Sequence, residues 1–369
     1  MTQSADEKFM RVALEEAARG EPLAYPNPLV GCVIVRRGKI IGRGHHAFYG
    51  GPHAEVNAVN SCRTSASGAD IYVNMEPCSS KNKKNPPCTD LLLRIKPERV
   101  IIGDIDPNPA HNGRAVEILK RAGIKVKTGV LRSECAAINA PFYKNMLEKM
   151  PYVILKAAQS LNGRIADNRG NSRWISSNES RDFSHLLRAS SDCILAGAET
   201  ITKDNPQLTV RSLKVPRQPA VCVIDPDLRT PASARIFRAE RPVYIITSCG
   251  RKSLKYGPGV SLLPVKKKAS FLDIEEGLKK LYSLGIRRIL VEGGGRTNGQ
   301  FILNGLFDKF YLFIAPLVIG QENSVASVSW PDRLSHGEGL GIKLKLQESR
   351  PVGKDWLLVY GKENVYRTY

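Results

Sequence analysis

Repeated switching between helical and extended hydrophobic patterns is what most constrains this chain. Residues 7–19, EKFMRVALEEAAR, put Phe9, Met10, Ala13, Leu14 and Ala17 on one helical face, and Gly20 supplies a stop. PLVGCVIVRRGKIIGRGHH (28–46) reads as two strands joined by a basic-glycine turn. A helix is expected from Glu55, a strand in ADIYVNMEPC (69–78), a strand and turn in PERVIIGDIDPNP (97–109), and a helix then a strand in RAVEILKRAGIKVKTG (114–129). Such alternation implies α/β layers for residues 1 to about 145. A new strand opens after Pro151, so a boundary is expected near 146–151. Strands and helices then alternate again through CILAGA, AVCVID, PVYIITS and RRILVEGGG, with β-rich segments near the C-terminus. YLFIAPLVIG (311–320), the longest apolar run, reads as a buried strand.

A chain of 369 residues, 42% hydrophobic and 24% charged, accommodates about two globular domains. No run approaches the roughly 18 apolar residues that span a bilayer, and the acidic N-terminus has no signal-peptide core, so a cytoplasmic protein without membrane association is expected. Eight cysteines in such a chain are thiols or metal ligands rather than disulfides. Cys32, Cys193 and Cys222 lie in apolar runs and read as core. The formal charge of +20 fits a polyanion or a phosphorylated small substrate. The basic runs are short and lack interleaved aromatics, so no nucleic-acid partner is expected. Association into a homo-oligomer is left open.

His53-Ala54-Glu55 follows a glycine-proline break, and EPCSSKNKKNPPC (76–88) follows downstream. One imidazole and two thiolates, His53, Cys78 and Cys88, suit tetrahedral Zn²⁺ with a position left for water. Zinc lowers the pKa of its water to about 7. Zinc nucleobase deaminases pair such ligands with a glutamate that shuttles protons, the role Glu55 would take as catalytic residue.

The segments PNPLVGCVIV, GGPHAEVNAV, EPC…PPC and DPNP occur in the order seen in the deaminase half of the bifunctional riboflavin-biosynthesis deaminase–reductases, which this chain resembles. The resemblance implies that Asn27 and His46 hold a pyrimidine substrate, with Asn108 near the same pocket. Ser80 stands where that family usually has histidine, and the cysteines lie ten rather than nine positions apart. The altered loop carries Lys81, Lys83 and Lys84, at least one of which would meet the substrate's phosphate unless the loop is simply a solvated surface segment.

In the second half, three glycines (293–295) after the strand RRILVE allow close approach to a phosphate, or simply make a tight turn. The blocks K-x-A-x-S-L-x-G, R-W-I-S, DNPQLTVR and VEGG resemble the reductase half of the same family. By that likeness Ala158, Trp174, Thr200, Asp204, Gly294, Gly295, Arg296, Thr297 and Asn298 contact NADPH. Ser172, Arg188, Leu208, Arg211 and Glu292 contact the sugar-phosphate substrate, and guanidinium forks suit phosphate. Asn162 replaces the family's usual aspartate, with a structural role expected.

The expected architecture is therefore a cytidine-deaminase-like three-layer α/β domain (1–147) followed by a dihydrofolate-reductase-like domain (148–369). The expected function is zinc-dependent deamination of 2,5-diamino-6-(5-phosphoribosylamino)pyrimidin-4(3H)-one and NADPH reduction of its ribosyl group. Two alternatives stand beside it: a monofunctional reductase with an inactive zinc-holding first domain, and an RNA-binding protein on a deaminase scaffold.

Overall fold

The computed structural model describes residues 4–21, 23–80, 86–109, 111–249, 256–268, 271–330 and 341–362. The chain divides into two compact units between Lys149 and Met150.

In the first unit, α1 (Ala5–Ala18) starts at a capping box between Ser4 and Glu7. Then follow β1 (Gly31–Arg36), β2 (Lys39–His45), α2 (Ala54–Asn60), β3 (Asp70–Met75), α3 (Cys88–Ile95), β4 (Arg99–Asp104), α4 (Arg114–Arg121), β5 (Lys125–Thr128), α5 (Arg132–Ile138) and α6 (Ala140–Leu147). The sheet order is β2-β1-β3-β4-β5. β1 pairs antiparallel with β2 and β3, and the remaining pairs are parallel. Alternation along β1 sorts the core into two layers. Cys32 and Ile34 pack with Ala58, Leu92 and Leu119 of α2, α3 and α4, whereas Val33 and Val35 pack with Phe9, Met10 and Ala13 of α1.

The second unit contains β6 (Tyr152–Ser160), β7 (Arg164–Ala166), α7 (Asn178–Ala189), β8 (Cys193–Gly197), α8 (Ala198–Asp204), β9 (Ala220–Ile224), β10 (Val243–Thr247) and β11 (Val260–Pro264). After these come β12 (Lys267–Lys268), β13 (Phe271–Leu272), α9 (Ile274–Ser283), β14 (Arg288–Val291), α10 (Gly295–Leu303), β15 (Lys309–Ala315), β16 (Val325–Ala326), β17 (Lys345–Val352) and β18 (Asp355–Gly361). Nine strands form one sheet, β11-β10-β9-β8-β14-β6-β15-β18-β17. Seven run parallel from β11 to β15, and the β17–β18 hairpin closes the edge antiparallel. Leu278, Leu281, Phe301 and Ile302 of α9 and α10 cover one face, and Ile201 of α8 packs with Ile194 and Val221 on the other. Cys32, Cys193 and Cys222 are buried, as their apolar surroundings imply.

The reading of 311–320 as one buried strand is corrected. β15 ends at Ala315, where its pairing with β6 ends at Ser160. Pro316 has no N–H to continue a ladder, and Leu317 and Val318 beyond it are exposed.

Candidate active sites

Two helix starts and one strand end build the first site. His53 is the N-cap of α2, and Glu55 lies in that helix's first turn. α2 can approach β2 closely because Gly44 lacks a side chain: a Cβ there would stand 2.3 Å from the Ala58 nitrogen. Cys78 follows β3, and Cys88 opens α3. His53 Nδ1 lies 3.3 Å from each of the two sulfurs, and the three donor atoms fall within 4.8 Å of one another. The Cys88 N–H donates to Cys78 Sγ at 3.3 Å, and the Thr89 N–H to the Cys78 carbonyl at 3.2 Å. Its interaction with Cys88 pulls the Cys78 thiol down to about 4 against burial, with His53 adding to the effect. Burial and the negative Cys78 push the Glu55 carboxyl pKa upward. One nitrogen and two sulfurs at this spacing fit tetrahedral zinc.

Asn27, His46, His53, Glu55, Cys78 and Asn108 line one cavity. The Pro52 carbonyl, 3.0 Å from His46 Nδ1, can only accept, so Nδ1 carries the proton. Nε2 then accepts from the Asn27 amide at 3.0 Å, and burial lowers the imidazole pKa. Asn108 is set by an Asx turn in which its N–H donates to Asp106 Oδ1 at 2.8 Å. Sequence reasoning missed Glu76, Asp106, His111, Phe142 and Met146 in the same wall. Glu76 accepts N–H bonds from Asp106, Gly113 and Ala115 at 3.2, 2.9 and 2.9 Å, fixing the loop that carries Asn108 and His111. Asp106 sits in the DPNP motif, whereas Phe142 and Met146 come from α6 and have no motif to mark them. Lys81, Lys83 and Lys84 lie outside the described residues.

The second site lies outside the carboxyl ends of β6, β8 and β14, where open parallel sheets bind ligands. Ala158, Trp174, Thr200, Asp204 and Gly294 share its cavity with Ser172, Arg188, Leu208, Arg211 and Glu292. Gly295, Arg296, Thr297 and Asn298 stand apart from that lining. Gly295 and Gly293 are explained by packing: added Cβ atoms would meet the Ala326 carbonyl at 2.2 Å and Thr297 at 2.5 Å. Gly294 has only the Thr200 hydroxyl near, at 3.7 Å, and lines the cavity with room beside it. Thr297 and Asn298 are buried, Asn298 donating to the Ser327 carbonyl at 2.9 Å, and Arg296 is exposed.

Arg188 makes a bidentate pair with Glu292, at 2.5 and 2.8 Å, and donates to the Thr209 carbonyl at 3.0 Å. Burial would raise the Glu292 carboxyl, but the Arg188 charge outweighs it and holds the group below its usual range. Lys156, unassigned from sequence, lines the floor, with its ammonium pKa lowered by burial. His185 and Arg181 were also missed, and Arg181 stacks 4.4 Å over the Trp174 ring. Outside the cavity, the Asn162 amide donates to the Ile319 carbonyl at 2.8 Å and accepts its N–H at 3.1 Å. An aspartate could make only the second bond.

Residues 151–358 match the family described as RibD C-terminal domain, and residues 3–104 match the cytidine and deoxycytidylate deaminase zinc-binding region. The riboflavin biosynthesis protein RibD of Aquifex aeolicus (strain VF5) is 37% identical, covering 98% of this chain and 99% of its own. The chain belongs to the RibD family. Escherichia coli (strain K12) RibD is 35% identical, over 95% of this chain and 97% of its own. Two solved structures share the whole fold. Acinetobacter baumannii RibD superposes with a TM-score of 0.84 at 32% identity, covering 98% of this chain and 99% of that one. The diaminohydroxyphosphoribosylaminopyrimidine deaminase/5-amino-6-(5-phosphoribosylamino)uracil reductase of Thermotoga maritima gives 0.82 at 33% identity, covering 97% and 99%. As a member of the RibD family, the chain is a bifunctional deaminase and reductase of riboflavin biosynthesis.

Proposed function

We propose that the first unit deaminates 2,5-diamino-6-(5-phosphoribosylamino)pyrimidin-4(3H)-one, and that the second reduces the ribosyl group of the product to ribityl with NADPH. His53, Cys78 and Cys88 would hold the zinc, which when bound supplies an acidified water as nucleophile at the ring carbon bearing the 2-amino group. Glu55 takes the proton released there and gives it to the departing amine, a role that suits a buried carboxyl with a raised pKa. Asn27, oriented by His46, presents its remaining amide edge to the pyrimidine. In the second unit NADPH, when bound, would supply the hydride for the sugar C1′. Ala158, Trp174, Thr200, Asp204 and Gly294 form its expected seat, and Arg211 is the cation expected to meet the substrate phosphate. The pathway is soluble chemistry expected in the cytoplasm; among the described residues no helix is long and apolar enough to cross a membrane.

The observation carrying this reading is the meeting of His53, Cys78 and Cys88 with Glu55 beside a cavity. A binding scaffold or an inactive domain has no use for that glutamate. Purified protein incubated with the diaminopyrimidine ribotide should exchange an amino group for oxygen and release ammonia, as read by mass analysis. Adding NADPH should give a product with two further hydrogens. Reduction without ammonia release would assign the chain to the reductase step alone. A salt-sensitive RNA shift with neither reaction would favour the scaffold reading.

A further inference from the structure

One wall of the second cavity is the irregular segment 205–211, NPQLTVR, which contributes Pro206, Leu208 and Arg211. Side chains from elsewhere hold its main chain. Arg241, just before β10, donates through Nη1 to the Leu208 carbonyl at 2.5 Å and to the Pro219 carbonyl at 3.2 Å, and through Nη2 to the Gln207 carbonyl. Arg188 takes the Thr209 carbonyl. Gln218 accepts the Val210 N–H at 2.7 Å and donates to the Val210 carbonyl at 3.0 Å. His185 Nδ1 accepts the Arg211 N–H at 3.3 Å. Four consecutive carbonyls, from Gln207 to Val210, therefore depend on three side chains.

Leu208 needs such support. Its φ of 50° lies in the left-handed region, which a branched side chain keeps only when its surroundings hold it. Arg241 carries most of that load. It is buried, no carboxylate pairs with it among the described residues, and it does not line the cavity. Burial pushes its pKa down only to about 10, so the guanidinium stays charged and committed to carbonyls at neutral pH. Arg188 is engaged by Glu292, whereas the Arg211 guanidinium has no ion pair among the described residues. Arg211, an exposed cation of the cavity with no ion pair among the described residues, thus rides on the segment that Arg241 holds.

We propose that Arg241 is a positioning residue of the reductase cavity, setting affinity for the phosphorylated substrate by holding segment 205–211 in the shape that presents Arg211. The proposal rests on the reading of the second unit as a reductase of a sugar phosphate. The test uses the full chain with Arg241→Met, assayed for NADPH-dependent reduction of the deaminated ribotide. KM for the ribotide should rise about tenfold with kcat within about twofold, and deamination should be unchanged. In a double-mutant cycle, Arg241→Met should add little to Arg211→Ala, because the first acts through the second. Gln218→Ala, which frees only Val210, should show the same pattern more weakly and covers the case that Arg241→Met does not fold. Hydrogen exchange gives a readout apart from turnover. Val210 and Arg211 amides should lose protection in the variant while β8 and α7 keep theirs. Additive effects in the cycle, unaltered loop protection, or loss of protection across the whole unit would overturn the proposal. If the wild-type protein reduces no ribotide, the reductase reading fails, and the exchange measurement alone decides the role of Arg241.

Discussion

Glu55 is buried and Glu292 mostly so, and their surroundings drive the two carboxyls in opposite directions. Burial and the Cys78 thiolate raise Glu55, whereas Arg188 overcomes the burial of Glu292 and lowers it. Glu55→Gln should therefore keep zinc and fold while deamination falls by about 10²–10⁴-fold, with reduction of deaminated substrate intact. Metal analysis of Cys88→Ala should show a large loss of zinc, and Cys62→Ser should show none. For Glu292 the stabilisation is complete above the ordinary glutamate pKa of about 4.3 and is lost as pH falls through the lowered folded value. Thermal melts from about pH 7 to about pH 3 should show an acid-side loss that is smaller in Glu292→Gln. The cluster of His53, Cys78 and Cys88 beside Glu55, proposed to hold zinc, could be read from sequence because residue type and spacing carry such chemistry. Glu76 and Arg241 could not, since their partners are main-chain groups far along the chain and no residue pattern records that pairing.

At the scale of elements, α2 is the carrier of the first site. Its seat depends on Gly44, where any side chain would strike the Ala58 backbone. Gly44→Ala should push α2 off the strand, costing about 1–3 kcal/mol of stability in overpacking. Zinc content and deamination should fall together, and reduction should survive. Retained zinc with normal deamination would show that α2 is seated by other contacts. The hydrophobic period located β1 to β5 together with α1, α2 and α4, because the central strands alternate between two buried layers, but it did not mark α3, which opens at Cys88. It misjudged 311–320 because an apolar run alone cannot tell a strand from an exposed apolar loop; Pro316 was the sign to weigh.

Across the whole chain, a charge of +20 faces ligands expected to carry phosphate. Exposed charges are screened beyond about 10 Å at 0.1 M salt. Raising salt from about 0.05 to about 0.5 M should increase KM for the phosphorylated substrate several-fold and leave a dephosphorylated analogue nearly unaffected. Equal change for both would remove long-range attraction from the account. The two units also differ in how chemistry is joined to architecture. In the first, two of the residues that would hold the metal open helices packed on the sheet, and the third follows a strand end. In the second, much of the cavity wall comes from segments beyond the strand ends, outside the two core layers. Over evolutionary time the first arrangement leaves little room: altering the reaction means dismantling the fold. The second can exchange a loop and acquire another substrate while its sheet stays as it is.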